Sequence, residues 1–427
     1  MRSNQCQADS KRIIEGEFLR RWGFCPDLGN PFEGYDLDKE TRLEQVYVSA
    51  PYVNDILGGH RREIRGVKVI YAERGFGKSS LREIIRRQCA RMQDDQGRKI
   101  YLPLVYGRDA QDSLACDSHS EMVIGHHLIA IVSLALEQLA PCYDRTTAKS
   151  LRDNPAFKTA IRVLDSVLYS ANVSIRARAF IAESRPWYTR TAFTRSLLSV
   201  LRWFKDSASS FFSKSPVDTR PKAHTEMPSH NDIVHCLTAV AQLFQLLGFE
   251  RCVVLVDEVD ENRFVRELGP EAVSRFIKDL VTETFFRSPT SLFAVRFFLP
   301  ETTRNLLMKK YHFREDRDIP ITLKWQEKDI RTMLKRRLLA YSNNEVDSLN
   351  HLAEGFDIDS VLVRYSNLSP RRYAQLAHTV FRNHFERVNT YMRQHILTSD
   401  IDWEELFNRF KLIAQDTVQK SIDDLKR

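Results

Sequence analysis

One segment constrains this chain more than any other: residues 66–88 read GVKVIYAERGFGKSSLREIIRRQ. The apolar run at its start has the length of a buried strand, and Leu81, Ile84 and Ile85 follow helical spacing. A strand, a glycine turn and a helix therefore succeed one another. Ala72 to Ser79 match the pattern GxxxxGK followed by Ser or Thr at every position but the first, where alanine replaces glycine. Chemistry decides which positions matter. Loop amides and a helix N-terminus wrap phosphate oxygens, the lysine reaches the β and γ oxygens, and the hydroxyl holds Mg2+. Gly77, Lys78 and Ser79 supply those groups, and Arg74, Gly75, Phe76 and Ser80 complete the expected phosphate cradle. A small alanine at the strand exit fits wherever the backbone angle there is ordinary.

A second segment completes the first. In CVVLVDEVDEN, residues 252–262, the apolar residues Val253–Val256 deliver Asp257 and Glu258 to the carboxyl end of a strand. Ligands of parallel α/β sheets bind outside the carboxyl ends of the strands. Asp257 is thus expected in the shell of the metal, with Glu258 polarising a water. Asp260 and Glu261 read as loop acids.

Strand and helix patterns alternate over the region that holds both segments. Strands are expected at Ile100–Tyr106, where Pro103 suggests an edge or a bulge, and in SLFAVRFFLP, residues 291–300. Helices are expected at 121–139, 156–168, 188–204, 232–247 and 271–286. Alternation of this kind implies a parallel sheet flanked by helices. Glycine usage marks the inserted part: none of the 15 glycines lies between Gly125 and Gly248, as suits a mainly helical insertion. Residues 207–230, rich in Ser, Pro and Lys, read as a linker. The expected organisation is a polar lead-in over 1–65, an α/β core over 66–300 with an insertion at about 107–230, and a helical region over 301–427. The last region holds one short strand at 319–323 and a helix capped by Ser399 before IDWEELFNRFKLIAQ.

The order of glycine loop, acid-ended strand, following apolar strand and helical C-terminal region resembles the AAA+/STAND branch of P-loop ATPases over roughly residues 30–385. Asn30-Pro31-Phe32, the segment near Tyr52 and Trp325 before a basic helix are similar to bacterial stand-alone ATPases of conflict and defence loci. The resemblance implies ATP and Mg2+ as cofactors, a P-loop NTPase core under a C-terminal helical lid, and an ATP-driven switch acting on a protein partner or effector. Homo-oligomers also fall within what it implies. It implies a lid arginine at the start of NLSPRRYAQLAHTVF, with Arg371 the first choice and Arg372 the second. A sensor residue would end the strand after Asp257, where the sequence offers Arg296. Arg314 and Arg317 stand where a trans arginine finger would.

The net charge of +8 suits an anionic partner without demanding one. It keeps a DNA-binding loader or initiator as the alternative function, though 386–427 shows no helix-turn-helix pattern. A nucleotide scaffold without turnover is disfavoured by the presence of Lys78, Ser79, Asp257 and Glu258 together. The seven cysteines form no CxxC pair, which points to reduced thiols and the cytoplasm. His119, His126 and His127 near Glu121 lack metal-binding spacing. No apolar signal segment begins the chain, and the apolar helical runs around 128–139 and 240–247 read as too short to span a bilayer.

Overall fold

The computed structural model describes residues 2–33, 42–48, 52–58, 64–112, 124–143, 145–151, 153–168, 173–184, 228–262, 265, 268–311, 313, 320–395 and 402–426. β1 (Val67–Ala72) alternates Val67, Val69 and Tyr71 toward a helical layer, and Ile70 on its other face is also fully buried. Burial on both faces selects a continuous run of β-branched and aromatic residues, as in parallel sheets generally. β2 (Tyr101–Tyr106), β3 (Arg251–Val256), β4 (Phe293–Pro300) and β5 (Ile321–Thr322) join it in one parallel sheet of order β2-β3-β4-β1-β5.

Registers run from Tyr101↔Arg251 to Tyr106↔Val256 between β2 and β3, and from Cys252↔Phe293 to Val256↔Phe297 between β3 and β4. β2 lies at an edge, which accommodates Pro103, a residue with no N–H to give a further neighbour. The last strand is shorter than its sequence pattern suggests, pairing only Ile70↔Ile321 and Tyr71↔Thr322 with β1.

The chain divides into two compact units, one of Met1–Tyr52, Ala72–Ile84 and Leu323–Arg427, the other of Val53–Tyr71 and Ile85–Thr322. The second unit holds the sheet. Its helices include α3 (Ile124–Leu139), α4 (Pro155–Leu168), α5 (Ile175–Ser184), α6 (His230–Leu246) and α7 (Gly269–Thr282). The expected helix at 188–204 lies outside the described residues. α3 and the turn after it, Ile124–Cys142, make 19 residues of mean hydropathy 1.2, so this run is longer than the sequence pattern suggests. It is long and apolar enough to cross a membrane by length and composition, and 61% of it is buried inside the fold. Leu128, Ile131, Val132, Ala135, Leu136 and Leu139 pack in the core with β2 and α6.

The first unit is mainly helical, and its helices include α1 (Arg2–Arg21), α8 (Glu327–Tyr341), α9 (Ile358–Ser366), α10 (Pro370–His395), α11 (Trp403–Phe410) and α12 (Gln415–Asp424). The polar lead-in contains α1, and Ile14, Phe18 and Trp22, four residues apart, are buried along one face of it and of the turn that follows. Trp22 stacks on Phe385 with ring centroids 5.6 Å apart, and its indole N–H donates to Lys411 O at 2.9 Å. Asn30-Pro31-Phe32 is anchored here too. Phe32 packs on Phe381 at 5.5 Å, while Arg337 donates to Pro31 O.

The helix expected across IDWEELFNRFKLIAQ ends at Phe410, and a second begins only at Gln415. Ser399 lies outside the described residues, and Asp402 caps α11 by accepting from Glu404 N and Glu405 N. The break follows Phe410 because Ile413 leaves the helix to bond both ways with the 352–354 segment.

Candidate functional site

Two turns, each following an apolar strand of the sheet, carry the expected site residues other than Arg371. The first joins β1 to the helix α2 (Lys78–Arg91). Ala72 ends the strand buried and is not among the residues with positive φ, so alanine costs nothing there. Gly75 and Gly77 have φ of +85° and +83°, a conformation that favours glycine. Left-handed residues in such a loop can turn N–H groups toward a hollow, the geometry that binds anions. Lys78 opens α2 and its ammonium donates to Ala72 O at 3.2 Å; Ser79 beside it is half-buried. Ser80 is buried and lines a narrow cavity with Tyr47, Met333 and Arg337. Arg74 is exposed.

The loop is gripped from the helical side of its own unit. Trp325 Nε1 donates to Phe76 O at 2.9 Å, and Gly75 O accepts from Arg371 N at 3.3 Å and Ser369 Oγ at 3.4 Å. Contact at Gly75 is close: a Cβ there would lie 3.0 Å from Ser369 Oγ and 3.3 Å from Arg371 Cβ. The expected helix start at NLSPRR is thus real, with Arg371 and Arg372 exposed in the first turn of α10. Trp325, Phe76, Gly77, Tyr47, Val48 and Tyr52 line a narrow cleft beside the loop.

The second turn follows β3. Asp257 is buried, with its backbone N–H bonded to Tyr106 O and its carbonyl accepting from Gln111 Nε2. Glu258 is left-handed at φ 59°, ψ 23°, which costs a residue with a Cβ roughly 1–2 kcal/mol. Its carboxylate accepts the N–H of Arg108 at 3.1 Å and lies 3.2 Å from where a Cβ on Gly107 would be. Gly107 and Gln111 fix this turn, and nothing in the sequence pattern marks either. Asp260 is half-buried and Glu261 exposed in the short 3-10 turn that follows.

Arg296 does not end its strand. It is buried within β4 and bonds the carbonyls of Ile56, Arg65, Gly66 and Val295, while burial lowers its pKa to about 10. Four carbonyl partners make it a structural clamp on the segment before β1. His127 is likewise structural: Phe276 O can only accept, so Nε2 carries the proton and Nδ1 accepts from Tyr106 Oη at 2.7 Å. Burial lowers its pKa to about 4. Arg314, Arg317, His119 and Glu121 lie outside the described residues, among which no group of three His, Cys, Asp or Glu gathers as metal ligands.

Ser79 and Asp257 nevertheless offer a hydroxyl and a carboxylate, hard oxygen donors of the kind Mg2+ takes alongside phosphate oxygens. A scan against known protein-family models and a search of curated proteins both find no match for this chain.

Proposed function

We propose that this chain binds ATP with Mg2+ at the glycine loop and hydrolyses it. The observation that carries the reading is the loop itself. Two glycines at positive φ lead from a buried parallel strand into a helix N-terminus whose first residues are Lys78 and Ser79. That combination supplies backbone donors, a helix dipole, an ammonium and a hydroxyl to one polyphosphate. Lys78 would take the β and γ oxygens and Ser79 the metal. Asp257 would complete the metal shell, and Glu258 would orient and deprotonate the attacking water.

The sheet order supports the pairing of the two turns, since β1 and β3 run parallel with only β4 between them. Arg371, at the start of α10, would neutralise charge on the γ-phosphate. The resemblance to defence-locus ATPases extends the reading to a switch that acts on a cytoplasmic protein partner. Direct titration tests the core of it. MgATP should bind the wild-type chain and fail to bind Lys78→Ala, because the cradle then lacks its compensating charge; an unchanged dissociation constant in the variant refutes the assignment.

A further inference from the structure

The glycine loop owes its shape to residues far away in sequence. A trans peptide is planar, so the carbonyl of one residue and the N–H of the next point in opposite directions. Whatever holds a loop carbonyl therefore aims the following N–H. Phe76 O is held by Trp325 Nε1 at 2.9 Å, across 249 positions of sequence, which turns the N–H of Gly77 to the side of the peptide away from the indole. The ring also packs against this glycine, with Cζ2 3.8 Å from where a Cβ on Gly77 would stand.

Trp325 is itself fixed. It stands immediately before Gln326, the N-cap of α8, where Gln326 and Asp329 form a reciprocal capping box. Its half-buried ring packs against the aromatic and aliphatic core of the helical unit. The adjoining carbonyl, Gly75 O, is held in the same manner by Arg371 N and Ser369 Oγ at the start of α10. Phe76 N–H, the donor that follows Gly75 O, closes the loop by bonding Glu73 O at 3.3 Å. The donor that follows Phe76 O is the one Trp325 aims.

We propose that Trp325 is a positioning residue for the phosphate cradle: its indole N–H holds the Phe76–Gly77 peptide so that the Gly77 N–H faces the polyphosphate. The inference rests on the reading of the loop as the nucleotide site. It assigns Trp325 to the phosphate chain rather than to the base, even though its ring also borders the neighbouring cleft. Removing the indole donor frees the peptide to rotate, and the cradle must then be reassembled on binding. The expected loss is about tenfold in affinity, the size of one hydrogen bond of this kind.

Two substitutions in the full chain test it. Trp325→Phe removes the donor and part of the ring; benzothienylalanine incorporated at position 325 keeps the bicyclic ring and removes only the N–H. Dissociation constants are measured for MgATP and for magnesium tripolyphosphate, which has no base, together with the thermal unfolding midpoint. The expected result is a similar loss, about tenfold, for both ligands in both variants, with the benzothienylalanine protein melting as the wild type does. A loss confined to ATP would overturn the proposal by making Trp325 a base-stacking residue. Wild-type affinities in the benzothienylalanine protein would overturn it as well, leaving the nucleotide reading intact. Failure of the wild-type chain to bind either ligand would sink that reading first, and this inference with it.

Discussion

The turn after β1 and the turn after β3 are built on opposite principles. The glycine loop solves its backbone problem with residue type: glycine sits at both positive-φ positions, and its carbonyls are tied down by Trp325, Ser369 and Arg371. The acidic turn accepts strain instead. Glu258 holds a left-handed conformation with a full side chain, and its carboxylate is drawn to the N–H of Arg108. Glycine would be the easier residue at position 258, so the cost points to a need for the carboxylate there. One turn displays donors and a cation, and the other carries carboxylates.

The comparison can be broken at either turn. The largest of the effects expected here is at Glu258. Glu258→Gln keeps size and most hydrogen bonding but cannot accept a proton, so ATP should bind with Mg2+ while hydrolysis falls by about 10²-fold or more. Parental turnover in that variant would move the role to Asp260 or Glu261. Because the ATP state then persists, any ATP-dependent association should become more stable.

A smaller effect is expected at Gly75, where alanine must adopt positive φ against Ser369 and Arg371 at roughly 1–2 kcal/mol, lowering nucleotide affinity by about tenfold or somewhat more. Affinity equal to that of the parent would show that the loop reshapes freely and that the grip of α10 is incidental. Least is expected of Arg371→Ala, which should keep ATP binding and slow turnover by about tenfold, the weight of a charged hydrogen bond. If Arg372→Ala alone slows turnover, the assignment is off by one residue.

What the sequence made legible was contiguous. Both turns are short runs whose local geometry follows from their spelling, and the strands leading into them are apolar enough to be read as buried. The grip on the glycine loop was not legible, because Gly75 and Ser369 are 294 positions apart and no local pattern joins them. Helix α1 was missed for another reason. Its charged residues dominate the composition, while Ile14, Phe18 and Trp22 form only a narrow stripe. The break between α11 and α12 depends on Ile413 bonding to a distant segment, which a helical periodicity cannot report. Arg296 illustrates the reverse error. Its place in a strand next to β3 invites a role at the site, yet its partners are four backbone carbonyls.

Whether the chain is an ATPase is decided by release of phosphate from ATP by the purified wild-type chain, followed with Mg2+ and then with the metal chelated. Turnover should require Mg2+ and should weaken in Asp257→Asn through loss of metal-dependent nucleotide binding. Absence of turnover at saturating MgATP, or turnover indifferent to both the metal and Asp257, would contradict this reading.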